Sequence, residues 1–202
     1  MNNLRKKYED RFKNVLVTVA DQLEVLIKDH FQGFKRIDRI VARAKSVDRF
    51  IEKAQKVIHD SPKYSDPLNQ IQDQIGARIV TFFKDDVERV SNEVLKYFRH
   101  IEAKNLIPES ESEFGYFGKH YILLIPLDIT SALTGDIPPC FELQIKTLFQ
   151  HSWSEANHDL GYKPNEDLSS DFKRKIAFTS AQAWGADEIF NDLFNSLNQR
   201  EN

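Results

Sequence analysis

Cysteine is nearly absent from this chain: Cys140 is the only one in 202 residues. A lone thiol excludes a disulfide framework and a thiolate zinc cluster, and it fits a reducing compartment. Glycine and proline are scarce, seven of each, and the glycines form no Walker-type or dinucleotide fingerprint. Long hydrophobic runs are also missing. The longest, Tyr121–Leu127, falls far short of the roughly 20 residues that span a bilayer. Arg5, Lys6 and Lys7 precede Tyr8-Glu9-Asp10-Arg11, where a secretory signal needs its apolar run. The expectation is a cytoplasmic chain with no membrane partner, intact as written and folded as one domain over residues 1–202. Single cores of that kind run to about 100–200 residues.

What is present is an ordinary globular composition, 41% hydrophobic and 29% charged, with a formal net charge of −3. The mean conceals an asymmetry. Residues 1–60 hold 14 Lys/Arg against 9 Asp/Glu, a balance of +5, which leaves −8 for the remainder. A polyanion is therefore expected against the first third.

Apolar residues at three- and four-residue steps, from Leu4 through Phe12 and Leu23 to Ile27, predict one amphipathic helix over residues 4–30. Gly33 interrupts it, and a second helix is expected from Phe34 to Arg43. Ser46 is placed to cap a third helix ending near His59. A loop through Pro62 and Pro67 follows, then a strand over Ala77–Phe83, a helix over Asp85–Arg99, and strands over His120–Leu127 and Phe141–Thr147. Helices over Leu148–Leu160 and Ser170–Leu197 close the chain. The order predicts an α+β fold, a small mixed β-sheet packed by helices, with helical N- and C-terminal segments.

Two patterns carry chemistry. Glu142, Gln144 and Lys146 share one face of the last strand, opposite Phe141, Leu143 and Ile145. That polar face reads as a solvent-filled cleft or as the open side of a half-covered sheet. The basic run Lys35, Arg36, Arg39, Arg43, Lys45, Arg49, Lys53, Lys56 is offset only by Asp38, Asp48 and Glu52. Its four-residue spacings read as helical stripes that suit a triphosphate or RNA, or a plain solvated surface. His59-Asp60 and His158-Asp159 are metal-type dipeptides, but neither has a convincing further ligand set, and His151 lacks a third ligand at short range.

Five segments in order resemble the synthetase domain of the RelA/SpoT family. They are Arg43-Ala-Lys45-Ser-Val-Asp-Arg49-Phe-Ile-Glu-Lys53, Asp73-Gln-Ile-Gly76-Ala-Arg78, Gly115-Tyr116-Phe-Gly-Lys-His120, Phe141-Glu142-Leu-Gln144-Ile-Lys146-Thr147, and Gln150-His151-Ser-Trp153-Ser-Glu155 with its continuation to Lys163. Together they cover about residues 35–165. The resemblance implies a nucleotidyltransferase-like synthetase fold. It also implies a pyrophosphokinase that uses Mg²⁺ to move the β,γ-pyrophosphate of ATP to the ribose 3′-hydroxyl of GDP or GTP. By resemblance Glu142 is the base, since a ribose hydroxyl needs a proton acceptor. Asp73 is the principal Mg²⁺ ligand, with Glu142 close enough to share the ion. Arg43, Lys45, Arg49, Lys53 and Arg78 correspond to ATP-side positions. Tyr116, the stacking aromatic, stands on the acceptor side with His120, Gln144, Lys146, His151 and Glu155.

Four positions depart from the family pattern: Arg49 and Gly118 each replace a serine, Glu113-Phe114 replaces a lysine and an asparagine, and Lys146 replaces an arginine. Three of the four lie on the acceptor side, so the donor and metal machinery is the better kept. An alternative reading is therefore a toxin acting on the tRNA 3′ end or making adenosine alarmones, restrained by an antitoxin protein. A second alternative is a non-catalytic nucleotide-binding module. The length leaves no room for the hydrolase and regulatory domains of long family members.

Overall fold

The computed structural model describes residues 2–106, 114, 118–131, 133–161 and 169–199. The first helical stretch consists of α1 (Asn2–Arg11), one π-helical turn (Phe12–Leu16) and α2 (Val17–His30). Strand β1 (Ile37–Ala44) is followed by α3 (Val47–Ala54), the hairpin strands β2 (Val57–Ile58) and β3 (Ser61–Pro62), and the short helix α4 (Pro67–Gln70). Then come β4 (Ile75–Thr81), α5 (Lys84–Tyr97), β5 (His100–Leu106), β6 (Gly118–Leu124) and α6 (Leu127–Thr130). Strand β7 (Cys140–Thr147), α7 (Leu148–Gly161) and the long α8 (Ser170–Asn198) complete the order.

The main sheet has five strands in the order β1-β4-β7-β6-β5. The β4–β7 pair is parallel, and the remaining neighbours are antiparallel. One face is apolar and covered. Ala77, Ile79, Leu143 and Ile145 are buried there, and α2 and α5 close over them with Val19, Leu23, Ile27, Val87, Val90 and Val94. The covering helices bury the stripe that their three- and four-residue apolar spacing predicts.

Three expectations from the sequence are corrected. Residues 34–43 do not form a helix, because β1 runs through them and pairs with β4 from Ile37↔Thr81 to Ala44↔Ile75. A spacing of four residues is even, so it fits the two-residue period of a strand as well as a helical turn, and the ladder with β4 settles it. The third helix stops at Ala54, not His59. His59 and Asp60 have φ of 49° and 60° at the tip of the β2–β3 hairpin, a left-handed backbone that no helix interior uses. Ser46 stands at the N-cap of α3, but its side chain makes no capping hydrogen bond. Strand β5 had no expectation at all. Its edge position leaves Ile101, Ala103 and Asn105 exposed, so it lacks the alternating burial that marks a strand.

Candidate active site

Register builds the site. Residues paired across neighbouring strands project to the same face, so one row crosses the sheet as Val41, Arg78, Gln144, His120 and Lys104. The adjacent row is Arg43, Gly76 and Glu142. A Cβ at Gly76 would meet nothing within 4 Å, so the sheet is open beside Glu142. The polar face of β7 is therefore the wall of a cleft, not a solvated outer surface. The cleft has a volume of about 730 Å³, and Arg43, Lys45, Arg49, Asp73, Arg78, His120, Glu142, Gln144, Lys146 and Glu155 all line it. Lys53 reaches it through Asp73, and His151 through Arg78. Tyr116 lies outside the described residues.

Glu142 is held from both sides. His120 Nδ1 lies 3.2 Å from its Oε1, and Gln144 Nε2 donates to its Oε2 at 2.9 Å. Burial pushes the carboxyl up, but the His120 contact, Gln144 and the charge of Lys53 outweigh it and bring the pKa down to about 2. Glu142 is thus an ionised proton acceptor at any physiological pH.

Asp73 sits on a 3₁₀ turn, Gln72–Gln74, that leads into β4. Its Oδ2 accepts from Lys53 Nζ at 2.7 Å and lies 3.1 Å from Lys45 Nζ. Its Oδ1 is buried, with no hydrogen-bond partner among the described residues. A second buried oxygen in the same cleft, Gln144 Oε1, is also without one. Hard oxygen donors left unsatisfied beside two carboxylates, Asp73 and Glu142, fit Mg²⁺, which takes one or two protein carboxylates beside substrate oxygens.

The turn bearing Asp73 is latched from the N-terminal helix. Arg11, 7% exposed, donates to Gln74 Oε1 at 3.0 Å and to the Leu68 carbonyl at 2.7 Å, and pairs with Asp136. The Lys45 N–H donates to the Gln74 carbonyl at 2.8 Å. The fully buried Tyr8 donates its hydroxyl to the Lys45 carbonyl at 2.8 Å and stacks on Phe50 with ring centroids 3.6 Å apart. Sequence reasoning treated Tyr8 as one apolar helix position and missed Arg11. Their signal is only that a polar tip and a charge occupy the buried stripe of an amphipathic helix.

Helix α7 supplies the third wall. Thr147 and Gln150 cap its start reciprocally: the Gln150 N–H donates to Thr147 Oγ1 at 3.1 Å, and the Thr147 N–H to Gln150 Oε1 at 3.0 Å. This is a threonine–glutamine capping box, legible in Thr147-Leu-Phe-Gln150. It orients residues 151, 154, 155 and 158 along one face. Arg78 Nη1 reaches Glu155 Oε1 at 2.8 Å and His151 Nδ1 at 3.1 Å. Burial and the Arg78 charge lower the His151 pKa, while Arg78 outweighs burial to lower that of Glu155.

Lys146, 2% exposed, donates to Ser154 Oγ at 3.3 Å. Burial, then Arg78, drive its pKa down to about 7. Ser154, Asn157 and His158 line the cleft without having been assigned there. Their helical spacing from His151 is the signal that would have found them.

Part of the basic first third is tied up within the fold. Arg5 pairs with Asp48 and Glu9, Lys28 with Glu24, Arg36 with Asp86, and Arg11 is buried. What converges on the cleft is Arg43, Lys45, Arg49, Arg78 and Lys146 against Asp73, Glu142 and Glu155, a balance that suits phosphates.

Residues 42–167 match the family described as the region found in RelA / SpoT proteins. The chain is 28% identical over 198 residues to GTP pyrophosphokinase YjbM of Bacillus subtilis (strain 168), covering 93% of this chain and 89% of that protein. It is 26% identical over 180 residues to GTP pyrophosphokinase YwaC of the same organism, covering 83% and 82%. Its structure superposes on that of small alarmone synthetase 1 from Bacillus subtilis bound to its product pppGpp. The TM-score is 0.74 at 25% identity, over 93% of this chain and 98% of that one. The α+β architecture with its mixed five-stranded sheet is the one these synthetases share. Because the matched segment runs from the end of β1 through α7, more than half of the chain, and contains every residue that lines the cleft except Val41, the chain belongs to the RelA/SpoT family.

Proposed function

We propose that the protein is a pyrophosphokinase that transfers the β,γ-pyrophosphate of ATP to the ribose 3′-hydroxyl of GDP or GTP. The observation that carries this reading is Glu142, an ionised carboxylate in a cleft walled by cations, on the central strand of the sheet and within the family match. The names of the Bacillus subtilis relatives and the pppGpp bound to one of them support a guanosine acceptor.

In this reading Glu142 accepts the 3′-hydroxyl proton as the ribose oxygen bonds to the β-phosphorus. The bond between that phosphorus and the α,β-bridging oxygen breaks, and AMP leaves with the electron pair. His120 and Gln144 hold the base in place. Lys45, Lys53, Arg43, Arg49 and Arg78 grip ATP; Lys146, His151, Glu155 and Tyr116 face the acceptor. Asp73, with Glu142, would hold the Mg²⁺, which would supply neutralisation of the phosphate charge.

The test is transfer from γ-labelled ATP to GDP, GTP, ADP, ATP or bulk tRNA, compared side by side. Label appearing on GDP or GTP is expected. Label on tRNA or on an adenosine nucleotide alone overturns the acceptor assignment, and no transfer to any of them overturns the enzyme.

A further inference from the structure

A second cavity, of about 550 Å³, lies behind the sheet. Lys119 pairs with Ile145, and Asn105 with Lys119, so these residues face away from Glu142, toward α5. Helices α5, α7 and α8 enclose the space beside them. Both tryptophans of the chain, Trp153 and Trp184, stand in its walls, with Val87 and Ala183 adding apolar surface. The Trp153 indole is fixed by its Nε1, which donates to Thr179 Oγ1 at 3.1 Å.

The polar feature is Asp187, 2% exposed. Its Oδ2 accepts from Thr147 Oγ1 at 2.7 Å. Its Oδ1 is buried and has no partner among the described residues, although the residue lines the cavity. A buried acceptor left unpaired is costly unless a donor arrives. Burial pushes the carboxyl up to about 6, so at neutral pH it is mostly an ionised acceptor.

Charge narrows the ligand. The two lysines of the lining are already paired, Lys84 with Glu188 and Lys119 with Glu88. Of the three lining carboxylates, Glu88 is held by Lys119 and Asp85 accepts from Asn191 and Asn195, which leaves Asp187. Phosphate therefore has no cation waiting for it here, and aromatic walls around that carboxylate suit a neutral planar ring that donates N–H.

We propose that this cavity is a second binding site, for an uncharged nitrogen heterocycle with adjacent N–H donors, of the guanine type. The ring lies against Trp153 and Trp184, and Asp187 Oδ1 accepts from its N–H edge. The site stands independently of the transfer reaction, because it uses none of the cleft residues.

The probe is guanosine, titrated into the full chain while tryptophan fluorescence is read, since both fluorophores line the cavity. Saturable quenching below about 1 mM is expected. Inosine, which lacks the exocyclic amino group, should bind more weakly. Asp187→Asn should weaken guanosine by about tenfold and should gain xanthosine, whose C2 carbonyl accepts from the new amide. Ala183→Leu narrows the slot while keeping the Asp187 carboxylate and should also weaken guanosine, which keeps the test open should Asp187→Asn not fold. Guanosine that fails to saturate, or that binds either variant as it binds the unaltered chain, overturns the proposal. A chain active in transfer but without this quenching sinks the second site alone, and the converse sinks the transfer reading alone.

Discussion

Lys53 and Lys45 converge on one oxygen: their ammonium nitrogens lie 2.7 and 3.1 Å from Asp73 Oδ2. The residues read as ATP-side cations thus neutralise the carboxylate read as the metal ligand. In the proposed reading, a divalent cation held by Asp73 would have to compete with these lysines, an exchange that the nucleotide phosphates would assist by pairing with them.

Lys53→Met should therefore act in opposite directions on the two ligands. Removing one charge beside a partly exposed carboxylate is worth about 1 kcal/mol. Mn²⁺ binding without nucleotide, followed by water relaxation, should strengthen about three- to tenfold, while ATP binding weakens. Unchanged Mn²⁺ affinity would sink the exchange.

Glu142→Gln should lower transfer by about 10²–10⁴-fold while ATP still binds, measured by single-turnover kinetics and calorimetry. With its pKa near 2, Glu142 should contribute no acid limb to the rate above about pH 4. The shift is also a stability statement. A carboxyl held below its unfolded value adds stability that is complete above about pH 4.5 and is lost as pH falls through about 2, some 3 kcal/mol in all. Acid unfolding of Glu142→Gln should lack that increment. Near-normal turnover in this variant would remove Glu142 as the base.

Lys146 carries the opposite kind of pH signature. Its folded pKa, about 7, lies below that of an unfolded lysine, so between about 7 and 10.5 the unfolded chain holds the extra proton and stability rises with pH. Acceptor phosphates should restore the charge. Binding GDP at about pH 8 should then take up a proton, seen as a dependence of the calorimetric enthalpy on buffer ionisation. Lys146→Met should abolish the uptake. A GDP enthalpy independent of buffer in the unaltered chain would place this lysine away from the phosphates.

The N-terminal helix should matter to ATP more than to the acceptor. Tyr8→Phe keeps the Phe50 stack and deletes the bond to the Lys45 carbonyl, so denaturant unfolding should show a loss of about 1 kcal/mol and the KM for ATP should rise with kcat little changed. Arg11→Met leaves Gln74 and Asp136 without their partner and should cost about 2–4 kcal/mol. Equal effects on ATP and acceptor would mean that the helix supports the fold alone.

Strand β7 was the most legible element, because Phe141, Leu143 and Ile145 alternate with polar residues, and a strict two-residue period matches a half-buried strand and no helix. The continuous helical stretch from α1 through α2, and the helices α5, α7 and α8, were readable within two residues for the same reason at a period of 3.6. Strand β1 was not: its arginines sit four apart, a spacing both periods accept, and only pairing with β4 decides. The β2–β3 hairpin rests on two residues with positive φ, neither of them glycine, which composition does not announce. At the site, the acidic and basic residues were nameable through the segments that resemble the RelA/SpoT family, whereas Ser154, Tyr8 and Arg11 act through contacts 8, 37 and 63 residues along the chain.

By itself the sequence determined which faces are apolar and where the long helices run. Those are local properties, set by periodicity and side-chain type, whereas the grouping of Asp73 and Glu142 with a set of cations rested on the resemblance to the RelA/SpoT family. The tertiary structure alone decided that β4 and β7 pair in parallel, which brings Gly76 against Glu142 and Arg78 against Gln144. It also decided that two lysines meet on Asp73 and that Asp187 keeps an unpaired oxygen behind the sheet. Register and long-range packing set those outcomes, because a carboxylate's partners and burial depend on segments that only folding brings together.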